Sequence, residues 1–460
     1  YIAQQFRNAG IPPAGASYLH EIKFGKTSLG EDNQLRISRN GSARSFAIKS
    51  DFTPLEMTAS REISAGIVFA GYGITAPEYN YDDYKGLDVK GKIVFLLRHE
   101  PGENDSLSVF DGARLTDYSQ IGSKVANAID HGAAGVMLAT DPLNHAYISS
   151  QGYPWPSLSK FIPKDALPVN IIEEDSLKIP VIQAGKEVIT GLFGSVDSLK
   201  MLEQEIDKSL KPHSFLIHGA DALIKTSTRI DEKPGSLVAA LIEGNDPELK
   251  KEIVVLGAHY DHVGTKKQEQ PGEDYIFNGA DDNASGTSAV IAIANAFGKS
   301  GIRTKRSILL LAFPGEEIGL MGSAFYASHP LFPFEKTIAM MNLDMIGRNA
   351  PEALCVIGAT RCPELDEILR QENNETGFIL DYSKEYFLSR SDQANFLKKN
   401  VPVLFLTTGE HSDYHKVSDE ASRIDYNKAE KVTRLAFRTL FRIADDNRHY
   451  TIKSNKVSLF

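Results

Sequence analysis

Six residues between positions 259 and 415 have the side chains of metal chemistry: His259, Asp282, Glu316, Glu317, Asp344 and His415. Each falls where an apolar, strand-like run gives way to a loop. Five of them make a ligand set for two zinc ions, and the sixth is a spare carboxylate. Such a set equips a hydrolase that activates water between two metals.

The motifs differ in what they contribute. His259 closes the run EIVVLGAH, and open α/β sheets place their ligands beyond the carboxyl ends of strands. Asp261, two residues on, can orient an imidazole by receiving its other N–H. In NGADDNASGTSA (278–289) two carboxylates stand among small residues before an apolar helical stretch. One of them can cap that helix. We assign a metal bridge to Asp282 and leave Asp281 as its support or the cap. In FPGEEIGLMGS (313–323) two like charges follow a strand, which is unfavourable unless something positive lies between them. One glutamate of that pair can bind metal while the other takes a proton from water. Asp344 ends the apolar run MMNLD, where an unpartnered carboxylate would be costly. In HSDYHKVSDE (411–420) both His411 and His415 are candidates, and either also reads as an ordinary loop histidine. Nitrogen and oxygen donors without thiolate fit zinc in an open catalytic site, and also tolerate cobalt or manganese.

These positions need a scaffold. From Ser236 onward strand and helix patterns alternate. Strands are expected at 237–243, 253–258, 307–313, 338–343, 354–357 and 402–407, and helices at 285–299, 319–328, 363–373, 391–399 and 427–445. The alternation predicts an α/β fold with a mixed central sheet between helices. Ahead of it, residues 1–9 read as a short helix ended by Gly10 and the Pro12–Pro13 pair, and 18–26 as a strand. The stretch between is β-rich, with glycine-bounded apolar runs at 64–73, 91–97, 134–139 and 179–182, a helix at 120–132 and a charged amphipathic helix at 197–209. Pro212 marks a natural boundary.

A chain of 460 residues suggests two or three domains. Its 42% hydrophobic and 24% charged residues are those of a globular protein. A net charge of −10 argues against nucleic acid as a partner. No run of 18 apolar residues suggests a membrane span. The chain begins at Tyr1 without a basic and apolar leader, and the expectation is a secreted or periplasmic protein whose leader is absent from this sequence. The two cysteines, Cys355 and Cys362, do not have metal-ligand spacing. We read them as unpaired thiols, pairing being open to an exported protein.

At these residues the sequence resembles family 28 of the metallopeptidases, the co-catalytic di-zinc aminopeptidases. The resemblance rests on His259-Tyr-Asp261, Asp282-Asn-Ala-Ser-Gly, Gly315-Glu316-Glu317-x-Gly-Leu-x-Gly-Ser, Asn342-Leu-Asp344-Met and Tyr414-His415-x-x-x-Asp419, in family order. It implies one zinc held by His259, Asp282 and Asp344, and a second held by Asp282, Glu317 and His415. Glu316 would be general base and then acid, with Asp261 orienting His259. The family often has Ser-Asp-His where this chain has Ser391-Asp392-Gln393; Asp392 still matches as a supporting residue, and any role of the third residue is lost. Residues 64–200 resemble a protease-associated domain, through GYGITAPEYNYDDYKGLDVKGKIVFLLRHEPG and KVANAIDHGAAGVMLATD. The implied organisation is a catalytic domain of residues 1–30 and 210–460 carrying an inserted β-rich protease-associated domain, 31–209. The stretch 264–278 is an extended insert that can line the cleft.

The leading expectation is a zinc aminopeptidase acting on peptides, with Tyr414 either donating to the tetrahedral oxyanion or merely packing in its loop. Three other readings compete with it. A glutaminyl cyclase-like acyltransferase would use one zinc. A carboxypeptidase on acidic dipeptides would need a cationic cluster, for which only Arg348 and Arg390 lie near the motifs. A non-catalytic receptor would not need the intact ligand set.

Overall fold

The structure, a computed structural model, describes residues 1–55, 57–110, 115–145, 148, 166–171, 179–268 and 270–453. Parts of the expected inserted domain, at 149–165 and 172–178, and Glu269 of the 264–278 insert lie outside the described residues. The chain divides into two compact units, Tyr1–Lys23 with Pro234–Phe460, and Phe24–Lys233. Among the described residues no helix is long and apolar enough to cross a membrane.

The first unit is a mixed α/β structure. Helix α1 (Ile2–Asn8) precedes strands β1 (Thr228–Ile242) and β2 (Ile253–His259). Then come α2 (Gly286–Ser300), β3 (Ser307–Phe313), α3 (Met321–Ser328), β4 (Thr337–Leu343) and β5 (Ala353–Ile357). The chain closes with α4 (Pro363–Asn373), β6 (Ile379–Asp381), α5 (Gln393–Leu397), β7 (Val403–Thr407) and α6 (Tyr426–Asp445). The strands run in the order β1-β3-β2-β4-β7-β5-β6. The middle four, β3, β2, β4 and β7, are mutually parallel, while β1 and β5 lie antiparallel to their neighbours β3 and β7.

Strands β2, β3 and β4 are buried at every residue. That is why they read as unbroken apolar runs: a parallel sheet is covered on both faces. Period-two alternation sorts their side chains. Val254, Leu256, Ala258, Ile308, Leu310 and Ala312 pack in one core with Val290, Ile293 and Phe297 of α2 and Leu435, Leu440 and Ile443 of α6. Phe313 lies instead in an aromatic group with Tyr326 of α3, Phe396 of α5 and Phe334. The strands therefore end at one edge with their last residues held rigidly, and the loops beyond them carry the candidate residues.

The second unit holds an eight-stranded mixed sheet, in the order Ser42–Phe46, Gln34–Arg39, Phe215–Lys225, Glu62–Phe69, Ile93–Leu97, Gly135–Ala139, Val181–Ala184 and Phe52–Pro54. Its helices include Ile121–Asp130, Lys186–Phe193 and Val196–Ser209.

The structure departs from the sequence reading in several elements, among them helix Lys186–Phe193 and the short strands Gln34–Arg39, Ser42–Phe46 and Phe52–Pro54, which were not singled out. Strand Phe215–Lys225 was not anticipated, because Gly219 sits at φ +68° inside it and the register with Glu62–Phe69 shifts between Leu216 and Asp221. Strand β6 has three residues, too few for a period to register. Helix α5 spans five residues rather than the nine expected, and Asn400 turns into the left-handed region soon after it ends. Cys355 and Cys362 are buried free thiols, and burial pushes Cys362 up to about 11.

Candidate metal centre

The sheet presents its residues as a set. His259 is the last residue of β2, Glu316 and Glu317 follow β3, Asp344 follows β4, and His415 lies in the loop after β7. Asp282 arrives on the segment leading into α2. These side chains meet in two groups. His259 Nε2 stands 3.3 Å from Asp282 Oδ1 and 3.4 Å from Asp344 Oδ1. His415 Nε2 stands 3.2 Å from Asp282 Oδ2 and 2.9 Å from Glu317 Oε2. Asp282 thus offers one oxygen to each group.

Asp282 is positioned from several sides. The carboxylate of Asp419 accepts from the backbone N–H groups of Asp281 (3.0 Å) and Asp282 (3.1 Å). Asn283 spans from this segment to β4: its Nδ2 donates to Leu343 O at 2.9 Å, and its Oδ1 accepts from Gly286 N and Met345 N. Asp281 does not cap α2. It accepts from Gly347 N and faces His411 Nε2 at 3.4 Å. The two histidines of the last motif therefore separate, with His411 at Asp281 and His415 at Asp282 and Glu317.

Asp261 supports by another route than the one its spacing suggested. His259 Nδ1 meets the backbone carbonyl of Asp261 at 3.1 Å and its carboxylate only at 3.7 Å. The carboxylate instead accepts from the backbone N–H groups of Glu316 (3.0 Å) and Glu317 (3.3 Å), clamping the turn that presents both glutamates. Ser391 donates to Asp344 Oδ2 at 2.8 Å, and Asn342 Nδ2 donates to Ser391 Oγ and to Gln393 Oε1. Gln393, which stands where a histidine was expected, serves in this network. Asp392 is fully buried, and burial pushes it up to about 7.

One side chain was missed in the sequence. His262 Nδ1 lies 2.7 Å from Glu317 Oε1 and 3.9 Å from Asp282 Oδ2. Glu317 is thereby gripped by two imidazoles, one at each oxygen. The signal was a second histidine within His-Tyr-Asp-His, three residues after His259.

The electrostatics are those of crowded carboxylates among imidazoles. Burial, and then Asp344, Asp392 and Glu317, push Glu316 up to about 10 against the pull of His259. Burial also raises Asp344. Burial opposes ionisation of Asp282 too, but His259 and His415 hold it well below the usual carboxylate range. Burial works against a charged His415, yet Asp282 and Glu317 raise it to about 9. Buried polar atoms normally have hydrogen-bond partners. Here His259 Nε2, Asp344 Oδ1, His415 Nε2 and His262 Nε2 have none. Two groups of donors each lie within 4.8 Å of one another, His259–Asp282–Asp344 and His262–Asp282–Glu317. The orphaned ligand atoms of His259, Asp344 and His415 gather around the Asp282 carboxylate, and a pair of bound cations would satisfy them, so the residues fit such a centre.

Glu316, Asp282, Asp344 and Tyr414 line one cleft together with Arg390 and Phe387. The Tyr414 ring stacks on the His415 ring at 3.9 Å. Both cations near the motifs are already engaged: Arg348 with Asp413 at 2.6 Å, and Arg390 with Glu410 at 2.8 Å.

Residues 237–440 match the model of Peptidase family M28. The matched region contains every residue of the centre. The chain is 26% identical to Leucine aminopeptidase 2 of Trichophyton equinum over 236 residues, covering 48% of this chain and 44% of that one. It is 26% identical to Leupeptin-inactivating enzyme 1 of Streptomyces exfoliatus over 181 residues, covering 39% and 37%. It thus spans less than half the length of these relatives. Among solved structures it is similar to an aminopeptidase from Aneurinibacillus sp. strain AM-1, at 18% identity and a TM-score of 0.46, covering 98% of this chain and 88% of that one.

Proposed function

We propose that the M28 region is a metallo-aminopeptidase that removes N-terminal residues from peptides at a two-zinc centre. The observation that supports this most is the double engagement of Asp282, one oxygen toward His259 and Asp344 and the other toward His415 and Glu317. His259, Asp282 and Asp344 would hold one zinc, and Asp282, Glu317 and His415 the other, with His262 bracing Glu317. When bound, the two ions polarise the scissile carbonyl and make water a nucleophile near neutral pH.

The chain's own residues do the rest. Glu316 lies in the cleft beside both groups without completing either; cations bound at those groups would offset the burial and the neighbouring carboxylates and keep it ionised, so that its carboxylate takes the proton of the attacking water and delivers it to the departing amine. The Asp261 clamp on the Glu316 and Glu317 amides holds that carboxylate in register with its neighbour. Tyr414 donates its hydroxyl to the oxyanion of the tetrahedral intermediate. The engaged state of Arg348 and Arg390 disfavours the acidic-dipeptide carboxypeptidase, which needs free cations for substrate carboxylates. The second donor group around Glu317 disfavours a one-zinc cyclase.

The test is a panel of aminoacyl arylamides, each with a free and an acetylated amino terminus, assayed with and without a chelator. The reading requires arylamine release from the free forms only, lost with chelator and restored by zinc. Equal cleavage of acetylated substrates would overturn the exopeptidase, and chelator-insensitive cleavage the metal mechanism.

A further inference from the structure

A second cluster of ligand-type side chains lies in the other unit, Phe24–Lys233, and the proposed peptidase chemistry makes no use of it. His99 and Glu103 follow strand Ile93–Leu97, and Asp141 and His145 follow strand Gly135–Ala139. These strands pair in parallel, with Leu97 opposite Ala139, and Arg98 N donates to Ala139 O at 2.9 Å. The two loops thus leave the sheet side by side, each carrying one histidine and one carboxylate at i and i+4.

Their polar atoms converge. His99 Nδ1 lies 2.7 Å from Asp141 Oδ1 and 3.1 Å from Glu103 Oε2. His145 Nε2 lies 2.8 Å from Glu103 Oε1 and 3.4 Å from Asp141 Oδ2. One ligand atom from each of the four residues falls within 4.8 Å of the others. Hydrogen bonding alone serves this arrangement poorly. Each imidazole nitrogen faces two carboxylates and can give a proton to only one. Asp141 is 0% exposed, and its Oδ2 has no hydrogen-bond partner. A fully buried oxygen without a donor needs another partner.

A cation resolves the mismatch. Tetrahedral zinc with ligands at about 2.0–2.2 Å sets the ligand atoms roughly 3.3–3.6 Å apart. The imidazole–carboxylate contacts of 2.7–3.4 Å are mostly shorter than those edges, each carboxylate turning a different oxygen to each ring. With one ligand atom from each residue already within 4.8 Å of the others, a modest spreading of the side chains admits the ion. The surroundings are acidic: Glu100, Glu203 and Asp207 interact with the cluster alongside Arg98 and Lys124. Two imidazoles and two carboxylates, without thiolate, select zinc or a similar first-row ion over calcium.

We infer that His99, Glu103, Asp141 and His145 form a closed, four-ligand site for a zinc-class divalent cation. Its role is structural. It ties the loop after Ile93–Leu97 to the loop after Gly135–Ala139, and all four positions are filled by protein, leaving none for substrate.

The test uses the full chain, stripped with chelator, dialysed against Zn²⁺ and analysed for bound metal. His145→Gln is the variant of choice, because that side chain is 39% exposed and its loss leaves the buried members in place. Asp282→Asn is made in parallel to weaken the other centre, so the two sites report separately. The inference requires that His145→Gln loses one zinc per chain, or binds that ion at least about 100-fold more weakly, while Asp282→Asn retains it. In Asp282→Asn loaded with Co²⁺, a tetrahedral cobalt absorption should be present, and adding His145→Gln should abolish it. Should His145→Gln fail to fold, Glu103→Gln replaces it in the same comparison. If the wild type and these variants bind the same number of zinc ions, or the cobalt absorption survives the added substitution, the site does not exist. Loss of zinc in His145→Gln but not in Asp282→Asn would leave this site standing and overturn the two-zinc peptidase centre.

Discussion

Replacing Gly286 with alanine should damage the centre without touching any of its ligands. Gly286 opens α2, four residues after Asp282, and packs against the end of β4 just before Asp344. A methyl group there would stand 2.3 Å from Leu343 O and 2.3 Å from Asn283 Oδ1. Ordinary contact needs about 3.5 Å, so α2 and β4 must separate by roughly 1 Å. The seam they share carries three buried hydrogen bonds: Asn283 Nδ2 to Leu343 O, and the N–H groups of Gly286 and Met345 to Asn283 Oδ1. Overpacking costs about 1–3 kcal/mol, and a buried group left unpaired about 1–3 kcal/mol more. The gain in helix propensity on leaving glycine returns about 1 kcal/mol. The net expectation is a loss of about 1–5 kcal/mol in urea unfolding. A shift of about 1 Å between Asp282 and Asp344 should also lower the peptidase rate about 100-fold. Gly122, on helix Ile121–Asp130, has open space where a methyl group would go. Gly122→Ala should therefore be neutral, or stabilising by about 0.5–1 kcal/mol. A Gly286→Ala protein with wild-type stability and rate would refute the idea that this close approach sets the spacing of the centre.

Arg306 is fully buried and donates to Glu252, Ile443 O, Asp446 O and Arg448 O. Arg306→Met should cost about 3–5 kcal/mol in urea unfolding, because Glu252 loses its buried partner; Arg306→Lys keeps the charge but not the fork, and should fall between. Asp419→Ala leaves the amides of Asp281 and Asp282 unpaired and should weaken metal binding about 10–100-fold while the variant still folds, as read by zinc titration. Glu203 is raised to about 9, chiefly by burial and then by Asp141. A carboxyl raised in the folded state stays protonated while the unfolded chain ionises, so stability falls as pH climbs from its unfolded pKa toward 9. Glu203→Gln, measured with chelator present, should match the wild type in thermal midpoint near pH 4 and exceed it at pH 8; an equal difference at both pH values would contradict the assignment.

Much of the region that matches the peptidase family model, residues 237–440, was legible because its physics is local. A strand covered on both faces must be apolar throughout, so SILLLAF and IVVLGAH announce themselves, and a polar residue at the end of such a run stands out. Helix α4 was read to its residue limits because Pro363 begins it. What stayed hidden depends on contacts distant in sequence. The Asp261 carboxylate reaches amides 55 and 56 residues away, and Asp419 reaches 137 and 138. No spacing rule records such pairs. His262 was passed over because one histidine in its loop already had a role. The cluster at His99 and Asp141 was missed because its two His–acid pairs lie on separate loops, and only the parallel register of their strands brings them together.

Two adjacent glutamates divide the labour at the proposed centre, and one comparison tests that division most directly: bound zinc and kcat for Glu316→Gln beside Glu317→Gln. Glu316→Gln keeps the side chain's size and removes its basic oxygen. It should retain the wild-type zinc content while kcat falls about 10²–10⁴-fold, and Glu317→Gln should lose zinc. Loss of zinc from Glu316→Gln with retention in Glu317→Gln would reverse the two roles. Full activity in Glu316→Gln would contradict the proton-transfer mechanism itself.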